Sequence, residues 1–296
     1  MRTGLAGTGY WAQTATAPGL AAADGIELTA VWGRNPRAAA DLAASHGAKA
    51  YEDLGAFLDA VDAVAFSVPP DVQAPIALRA AWAGKHLLLE KPVATSAGVA
   101  DELVAAVSVT GVASVVFFTS RFQAPVRAWL AEVNDRDGWA GGYGVWIGSG
   151  LRDGNPFNTP WRRDKGALWD VGPHAVSLLW AALGPVTGVH AQAGPADVSH
   201  LVLQHAGGPT STLTLTLSAP EDAQDSGLTI WGEPGRSAAP LGAGGGTAAT
   251  LATAATELAD LAAAGRTDHP CDVRFGRDVT RVLAAAAAQL DPRSPR

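Results

Sequence analysis

Short apolar runs alternate with longer alanine-rich segments over residues 1–120. The runs have the length of buried strands, and most of the intervening segments carry apolar residues at helical spacing. Such alternation predicts a parallel sheet with helices on both faces. The predicted strands are 3–6, 26–32, 63–68, 86–89 and 113–118. The predicted helices are 11–22, 36–46, 72–83 and 96–109.

The pattern changes after about residue 120. In the stretch TSTLTLTLS, Leu213, Leu215 and Leu217 alternate with threonines, so the leucines share one face and the threonines share the other. This predicts an antiparallel sheet with one buried face. Further helices are predicted at 124–133, 173–183, 250–264 and 276–290. We therefore expect two domains, residues 1–119 and 120–296, and the last helices can pack back on the first domain.

The composition is that of a globular protein, with 48% hydrophobic and 17% charged residues among 296. The formal net charge is -7 and no run of Lys and Arg occurs, so nucleic acid is not an expected partner. The single cysteine, Cys271, excludes an internal disulfide and favours the cytoplasm. The longest apolar segment, 103–118, is shorter than the roughly 18 residues of a membrane helix. We expect no secretion signal, no membrane association and no bound metal.

The first predicted strand runs into GTGYWA, which spans Gly7 to Ala12. In a turn from strand to helix, Gly7 permits the bend, Gly9 lets the backbone approach a pyrophosphate, and Ala12 lets the helix pack closely. The free amides at the start of the helix then hold the phosphates. With 34 glycines in the chain, a glycine-rich turn without a ligand is the alternative. The position of the motif between a predicted strand and a predicted helix favours a dinucleotide.

The end of the second predicted strand bears on the choice of dinucleotide. NAD is commonly recognised by a carboxylate at this point, which accepts bonds from the ribose 2′-hydroxyl. Here the strand ends in Gly33, Arg34 and Asn35, and Asp24 and Glu27 come too early. A guanidinium pairs with a 2′-phosphate, so the sequence favours NADP, with NAD as a possibility. The other interpretation is that Arg34 is a solvated residue at the start of a helix.

Charges directly follow three leucines in KHLLLEKPVA, residues 85–94. Ligands of an open parallel sheet lie beyond the C-terminal ends of its strands, so Glu90 and Lys91 are expected where a nicotinamide would bind. Strand alternation allows Lys91 to face the substrate while Glu90 turns to a structural partner, and Pro92 fixes the exit. A surface turn is the alternative.

Asp170 and His174 are four residues apart, so both can contact one ligand from a helical face. Pro173 is suited to the first helical turn, which places Asp170 just before the helix. Taken singly, Asp170 is typical of an N-cap and His174 of a buried core histidine. The interpretation of the pair therefore depends on the other motifs of the chain.

Five motifs together resemble the Gfo/Idh/MocA family, named after glucose–fructose oxidoreductase, inositol dehydrogenase and a rhizopine-catabolism protein. They cover nearly the whole chain in the order and spacing of the family, and the Glu-Lys-Pro and Asp-x-x-x-His motifs are the most specific. The motifs are GTGYWA, GRNP, SVPP (67–70), AGKHLLLEKPVA (83–94) and WDVGPHAVSLLWAALG (169–184). The resemblance implies an α/β fold, with an N-terminal Rossmann domain and a C-terminal α+β domain built on an open, mostly antiparallel sheet. It also implies a cis peptide between Lys91 and Pro92.

The resemblance implies roles for the site residues as well. Lys91, Asp170 and His174 match the residues that bind and deprotonate the reacting hydroxyl in the family. His174 would be the base, Lys91 would stabilise the developing alkoxide, and Asp170 would bind a neighbouring hydroxyl and orient the imidazole. The expected cofactor residues are Gly7, Thr8, Gly9, Tyr10, Trp11, Ala12, Gly33, Arg34, Asn35, Val68, Pro69, Glu90 and Lys91. The expected substrate residues are Arg121, Trp161 and Arg162, the last two in a predicted loop at 158–166.

We therefore expect an NAD(P)-dependent oxidoreductase that acts on a sugar, cyclitol or related polyol or ketone. The resemblance implies a homodimer or homotetramer formed through the C-terminal sheet. Two alternatives remain: a protein that binds NADP(H) without turnover, and a relative that uses tightly held NAD in glycoside cleavage. The chain departs from the family pattern at Gln73, where many relatives have His, and at KGALWD, where they have a glycine triplet before the Asp.

Overall fold

The computed structural model describes residues 1–290, and residues 291–296, the end of the predicted second domain, lie outside the described part. The chain forms two compact units. The first contains Met1–Phe122 and Gly245–Asp278, and the second contains Gln123–Gly244 and the chain from Val279 onward. The chain therefore leaves the first unit, builds most of the second, returns to the first at Gly245 and enters the second again at Val279.

Residues 1–290 contain twelve strands and ten α-helices. The strands are β1 (Arg2–Ala6), β2 (Glu27–Trp32), β3 (Lys49–Tyr51), β4 (Ala63–Phe66), β5 (His86–Leu89), β6 (Ser114–Val116), β7 (Trp139–Ile147), β8 (Val186–Ala193), β9 (Ser199–His205), β10 (Thr210–Thr216), β11 (Asp225–Gly232) and β12 (Gly235–Ala238). The helices are α1 (Ala17–Ala22), α2 (Pro36–Ser45), α3 (Leu54–Asp59), α4 (Pro70–Trp82), α5 (Ala97–Thr110), α6 (Ala124–Asn134), α7 (Pro160–Asp170), α8 (Gly172–Leu183), α9 (Thr247–Ala263) and α10 (Val273–Leu290). None of these helices is long and apolar enough to span a lipid bilayer.

The first unit is built on a six-stranded sheet in the order β3-β2-β1-β4-β5-β6. Every neighbouring pair in it is parallel, as the alternation of strands and helices predicts. The chain moves outward from β1 in both directions, so the order reverses between β1 and β4. Ligands of such sheets bind beyond the C-terminal ends of the strands at this reversal.

Local side-chain bonds set where the helices of the first unit begin. Asn35, Asp53 and Ser96 each accept a hydrogen bond from the backbone N–H three residues later, at the starts of α2, α3 and α5. Gly111 ends α5 with a φ of 69°, a conformation that favours glycine. These signals lie in the sequence, and the predicted helices of this unit match the observed ones to within a few residues.

Two elements of the first unit were not predicted, β3 and α3. β3 has three residues and lies at the edge of the sheet, and α3 has six. Neither is long enough to establish a hydrophobic period. The cap at Asp53 was the one available signal for α3.

The second unit contains a six-stranded sheet in the order β12-β11-β7-β10-β9-β8. All neighbouring pairs are antiparallel except β7 and β10, which run parallel. This confirms the predicted mostly antiparallel sheet. On β10, Leu213 and Leu215 are buried and Thr212 is exposed, as the alternation predicts. Thr216 does not follow the alternation: its side chain is buried and donates a hydrogen bond to Asp197.

One face of this second sheet is covered by a helix and the other is open. α8 packs on β7 and β10, and Val176, Leu178 and Leu179 on this helix are 0% exposed. Burial of each such side chain stabilises the unit by roughly 1.5 to 3 kcal/mol. On β7 and β11, Tyr143 and Trp231 remain 44% and 49% exposed. The sheet therefore presents large aromatic side chains outside its own core.

Candidate active site

β1 ends at the predicted glycine turn. Gly7 has a φ of +136°, and a Cβ at this position would collide with the backbone carbonyl of Ser67. At Gly9 an added Cβ would meet no atom within 4 Å. Position 7 therefore requires glycine, because the turn passes close to the end of β4. Gly9 instead leaves space in which a group such as a pyrophosphate can bind.

The helix that follows the turn packs closely at Ala12, which is 0% exposed. It begins as a π-helical turn, Ala12–Thr16, and continues as α1. Gln13 braces the turn: its Nε2 donates to the Thr8 carbonyl at 3.0 Å and its backbone N–H donates to the Gly9 carbonyl at 3.1 Å. Tyr10 is 51% exposed. Residues 7–12 thus form one strand-turn-helix unit.

The end of β2 closes against the same turn. A Cβ on Gly33 would lie 2.7 Å from Thr8 Cγ2, so glycine is what allows this close approach. Arg34 follows and is exposed. Asn35 uses its side chain to cap α2, accepting from the backbone N–H of Ala38 at 3.2 Å. The structure brings these two predicted cofactor segments together and leaves the guanidinium accessible.

The end of β4 contributes a residue that sequence reasoning missed. Ser67 Oγ is buried and makes no hydrogen bond to any residue in the described part of the chain. Val68 is half-buried and Pro69, directly before α4, is exposed. A buried hydroxyl in this situation fits a site that a polar ligand completes. The available signal was its position, directly after a buried strand at the sheet reversal.

Glu90 and Lys91 follow β5 directly. Glu90 Oε1 accepts the indole N–H of Trp11 at 2.8 Å, so the partner of Glu90 is a residue of the glycine motif. Lys91 is half-buried, and its bond to Pro92 is cis. The glycine turn and the Glu-Lys-Pro segment therefore belong to one local site within the first unit.

In the second unit, the prediction of a loop at 158–166 is wrong, because residues 160–166 belong to α7. Thr159 starts the helix by accepting from the backbone N–H of Arg162 at 3.3 Å, and Pro160 occupies the first turn. Both are helix-start signals that the sequence contains. Gly166, with φ 65° and ψ -169°, breaks α7 into two parts.

Arg162 and Asp170 meet across this break. Arg162 Nε donates to Asp170 Oδ2 at 2.8 Å, and the two side chains are 23% and 12% exposed. The guanidinium also lies 5.2 Å from the Phe157 ring and donates to the Phe157 carbonyl at 3.4 Å. Contacts on several sides hold both charged groups in one orientation.

Asp170 is the last residue of α7 and does not act as the N-cap of α8. That position belongs to Val171, which makes no side-chain capping bond. Pro173 lies in the first turn of α8, as predicted, and the backbone N–H of His174 donates to the Val171 carbonyl at 3.1 Å. His174 is half-buried.

Asp197 anchors the second part of α7 and was not predicted. Its Oδ2 accepts from the backbone N–H of Ala167 at 3.2 Å and of Leu217 at 2.9 Å, and its Oδ1 accepts from Thr216 Oγ1 at 2.6 Å. A carboxylate at the start of a helical segment is also favoured by the helix dipole. Since Asp170 ends this segment, Asp197 helps to set its position. Asp197 lies far along the chain in a turn, where no local pattern marks it.

The three predicted substrate residues divide between the units. Arg121 lies in a short helical turn of the first unit, with its guanidinium 5.4 Å from the Phe275 ring. Trp161 and Arg162 lie in the second unit with Asp170 and begin α7. The indole N–H of Trp161 is buried and has no hydrogen-bond acceptor among residues 1–290.

Two curated proteins match part of this chain in sequence. Levoglucosan dehydrogenase of Pseudarthrobacter phenanthrenivorans is 31% identical over 168 residues, which cover 53% of this chain and 43% of that protein. The 4-carboxy-2-hydroxymuconate-6-semialdehyde dehydrogenase of a Sphingobium species is 36% identical over 125 residues, 41% of this chain and 39% of that protein. The chain thus matches less than half the length of these curated relatives.

A solved structure and two family models cover more of the chain. GenD2 from gentamicin A biosynthesis, crystallised in complex with NAD, has a TM-score of 0.85 at 22% identity, over 99% of this chain and 94% of that one. This likeness shows the fold. The model for the oxidoreductase family with an NAD-binding Rossmann fold matches residues 1–118, and the model for the GFO/IDH/MocA C-terminal domain matches residues 142–237. The chain therefore belongs to the Gfo/Idh/MocA family of oxidoreductases.

Proposed function

We propose that the protein is an NAD(P)-dependent dehydrogenase or reductase that transfers a hydride between the nicotinamide and a sugar, cyclitol or related polyol or ketone. The observation that carries the proposal is the hydrogen bond from Trp11 to Glu90, which joins the glycine turn to the segment that bears Lys91. Hydride transfer needs a site that binds the carrier and a group that binds the reacting oxygen, and an ammonium such as that of Lys91 suits the second role. The name of one relative, levoglucosan dehydrogenase, indicates a sugar-like substrate for that protein.

The residues of the first unit fit a dinucleotide. Gly9 leaves open space beside the start of a helix, where backbone amides bind phosphate. Ser67 adds a buried hydroxyl with no partner among the described residues. When bound, the nicotinamide gives or accepts the hydride. The chain supplies the pyrophosphate-binding turn and keeps the ring end of the site next to Lys91.

Oxidation of an alcohol removes a hydride from carbon and a proton from its oxygen. In the proposal His174 accepts that proton, as a group that titrates near neutrality suits this task. The Lys91 ammonium hydrogen-bonds the same oxygen and stabilises the charge that develops on it. Asp170, held by Arg162, binds a neighbouring hydroxyl and orients the imidazole. In the reducing direction His174 returns the proton to the oxygen.

We further propose NADP as the preferred cofactor, with NAD as the weaker one. Arg34 is exposed just after the end of β2, and residues 33–40 contain no carboxylate. The side chain of Asn35 is engaged in capping α2. A guanidinium at this position attracts a 2′-phosphate and gives a 2′-hydroxyl no acceptor.

Substrate binding is assigned to aromatic and guanidinium groups. Trp161 and Arg162 in the second unit and Arg121 in the first are the proposed residues. Aromatic rings pack against the apolar faces of sugar rings, and guanidinium groups donate to hydroxyl or carboxylate oxygens. The buried indole N–H of Trp161 is a donor that a substrate oxygen can satisfy.

The open face of the second sheet supports a homodimer or homotetramer. Tyr143 and Trp231 are exposed there, and Arg236 donates to Tyr143 Oη at 3.0 Å. Aromatic and arginine side chains on a flat surface are typical of protein interfaces.

A cytoplasmic location is proposed from the single buried thiol of Cys271.

Lys91→Met tests the catalytic proposal. Purified protein is incubated with NAD or NADP and a panel of levoglucosan, myo-inositol and common aldoses, and nicotinamide absorbance is followed. We expect single-turnover hydride transfer to fall by roughly 100-fold or more, with little change in cofactor affinity. Lys49→Met is the matched control, because Lys49 lies at the sheet edge over the Tyr51 ring. Full activity of Lys91→Met defeats the assignment.

Two other functions give distinct results in the same experiment. A cofactor-binding protein without turnover binds NADP(H) but oxidises and reduces nothing in the panel. A relative that uses NAD transiently during glycoside cleavage carries NAD through purification and needs none added. Mass spectrometry of the cofactor released from the purified protein separates these two from the proposed enzyme.

A further inference from the structure

Gln73 lies in α4 and is 0% exposed. Its amide binds the chain that follows β5. Gln73 Oε1 accepts the backbone N–H of Glu90 at 2.8 Å, and Nε2 donates to the Glu90 carbonyl at 2.8 Å. Nε2 also lies 3.3 Å from the Pro92 carbonyl and 3.4 Å from the Val93 carbonyl. One buried side chain therefore contacts the backbone on both sides of Lys91.

The amide of Gln73 takes the place of a neighbouring strand. β5 pairs with β6 as far as Leu89 and with β4 as far as Leu88, so Glu90 lies beyond both ladders. The amide meets the N–H and the C=O of Glu90 as an adjacent strand would. The carbonyl of Glu90 belongs to the peptide group that enters Lys91, so this pairing fixes the orientation of that peptide.

We propose that Gln73 is a positioning residue that orients the Lys91 ammonium for its contact with the reacting oxygen. The inference rests on the proposed function, in which Lys91 makes that contact. Restraint of the backbone before and after Lys91 limits the directions in which its side chain leaves the chain. A primary amide carries a donor and an acceptor at the same end, a combination that a carboxylate and an alkyl group lack.

Gln73→Met tests the role in the full-length protein, because it keeps the volume and removes both bonding groups. Hydride transfer with the best substrate of the panel is expected to slow about 10- to 100-fold, with cofactor affinity changed less than about threefold. Ser114→Ala is the matched control: Ser114 is also 0% exposed and accepts from the backbone N–H of Val273 at 3.1 Å in the same unit. It should lower the melting temperature without slowing transfer. Equal rates for wild type and Gln73→Met below their melting temperatures would overturn the proposal.

Gln73→Glu gives a second test that does not depend on the folding of Gln73→Met. An ionised carboxylate accepts from the Glu90 N–H but cannot donate to its carbonyl, whereas a protonated carboxyl does both. Burial raises the pKa of a carboxyl, so protonation falls within an accessible pH range. We expect the rate relative to wild type to recover as the pH is lowered from 8 to 5. The charged neighbours Asp71, Glu90 and Lys91 are present in both proteins, so the rate of the variant is compared with that of wild type at each pH. A ratio that stays constant with pH contradicts the pairing.

A double-mutant cycle links the effect to Lys91. If Gln73 acts through Lys91, Gln73→Met costs little further rate once Lys91→Met is present. If the rate losses of the two single variants multiply in the double variant, Gln73 acts independently of Lys91 and the proposal is overturned. Failure of the proposed function looks different, since either the wild type would transfer no hydride or Lys91→Met alone would retain full activity.

A spectroscopic readout is independent of turnover. The chain contains four lysines, and reductive methylation with ¹³C-formaldehyde labels each of them as well as the N-terminal amine. The signal lost in Lys91→Met identifies Lys91. In Gln73→Met this signal is expected to shift or broaden, while the signals of Lys49 and Lys165 stay in place. An unchanged Lys91 signal would count against a positioning role whatever the enzyme's substrate.

Discussion

Arg162 donates its Nε–H to Asp170 Oδ2 at 2.8 Å across the break that Gly166 makes in α7. The pair joins a residue that begins the helix to the one that ends it. Both side chains are largely buried, and removal of either one takes a charge-assisted hydrogen bond from the other. The orientation of Asp170 therefore depends on Arg162.

Arg162→Met is expected to lower turnover by about 10- to 100-fold, because misplacement of a contact group by about 1 Å slows catalysis by up to about 100-fold. Cofactor affinity should change little, since Arg162 belongs to the second unit and the glycine turn to the first. Steady-state kinetics and a fluorescence titration with NADPH measure the two effects. Arg163→Met is the control, because Arg163 is exposed and bonds Asn158. A loss of cofactor affinity equal to the loss of turnover would contradict the role.

Arg34→Ala is expected to weaken NADPH binding by about 10-fold or more, through loss of a charge-assisted contact to the 2′-phosphate. NADH binding should change little, because NADH lacks that phosphate. Titrations of both cofactors by nicotinamide fluorescence measure the difference. Arg37→Ala, a second exposed arginine at the start of α2, is the control. An equal loss for both cofactors would favour a general electrostatic effect over a phosphate contact.

The first unit was largely predictable because its signals are local. The glycine turn, the buried run of β5 and the caps of α2 and α5 each act over a few residues. The residue under structural constraint is also part of the motif: Gly7 must be glycine because the Ser67 carbonyl leaves no room for a Cβ. Local rules of this kind need no knowledge of the rest of the fold.

The supporting contacts of the site were not predictable in the same way. Gln73 and Asp197 act on backbone groups that are distant in sequence, and only the folded chain brings them there. Gln73 was noticed as a departure from a family pattern, but its four contacts to residues 90–93 have no trace in the sequence. The helix at α7 was missed for another reason, because the helix-start signal at Thr159 and Pro160 was outweighed by the expectation of a substrate loop.

Stability is expected to fall as the pH drops below about 6.5, through His205, which is buried, and His86, which is half-buried. His205 bonds the Gly184 carbonyl and Ser211 Oγ, each at 2.8 Å, and burial lowers the pKa of His205. Burial also lowers the pKa of His86. As the pH falls through the ordinary histidine pKa, the unfolded chain takes up protons that the folded chain does not, so the free energy of unfolding decreases. Each histidine contributes at most about 1.4 kcal/mol per pH unit.

Urea unfolding of wild type and His205→Gln between pH 7.5 and 5 measures this dependence. The variant should be less stable at pH 7.5, because it loses a bonded ring, but its stability should decline less steeply with acid. Equal slopes for the two proteins would show that His205 does not contribute.

Trp231→Glu is expected to convert a homo-oligomer to smaller species, because it places a charge on the open face of the second sheet. Trp231 is 49% exposed on β11. Light scattering at micromolar concentration after size-exclusion chromatography gives the molar mass of each variant. Trp82→Glu is the control: Trp82 is 56% exposed on α4 in the first unit and should leave the assembly intact. A monomeric wild-type protein would exclude the assembly altogether.

Trp11→Phe tests whether the hydrogen bond from Trp11 to Glu90 contributes to cofactor binding as well as to stability. The change keeps an aromatic ring and removes the N–H that bonds Glu90 at 2.8 Å. A hydrogen bond to a charged group contributes about 1.5 to 3 kcal/mol, so the free energy of unfolding should fall by about that amount. Cofactor affinity should fall several-fold as well, because the same bond ties the helix of the glycine turn to the Glu-Lys-Pro segment.

Trp139→Phe is the matched control for Trp11→Phe. Trp139 lies in the second unit and donates its indole N–H to the Val133 carbonyl at 2.9 Å. Its replacement should lower stability in urea without weakening NADPH binding, whereas Trp11→Phe should do both. In a Glu90→Ala background the Trp11→Phe change should have little further effect on affinity, since the bond between Trp11 and Glu90 is already absent. If Trp11→Phe binds NADPH as tightly as wild type, the bond to Glu90 supports the fold of the first unit but not its cofactor site.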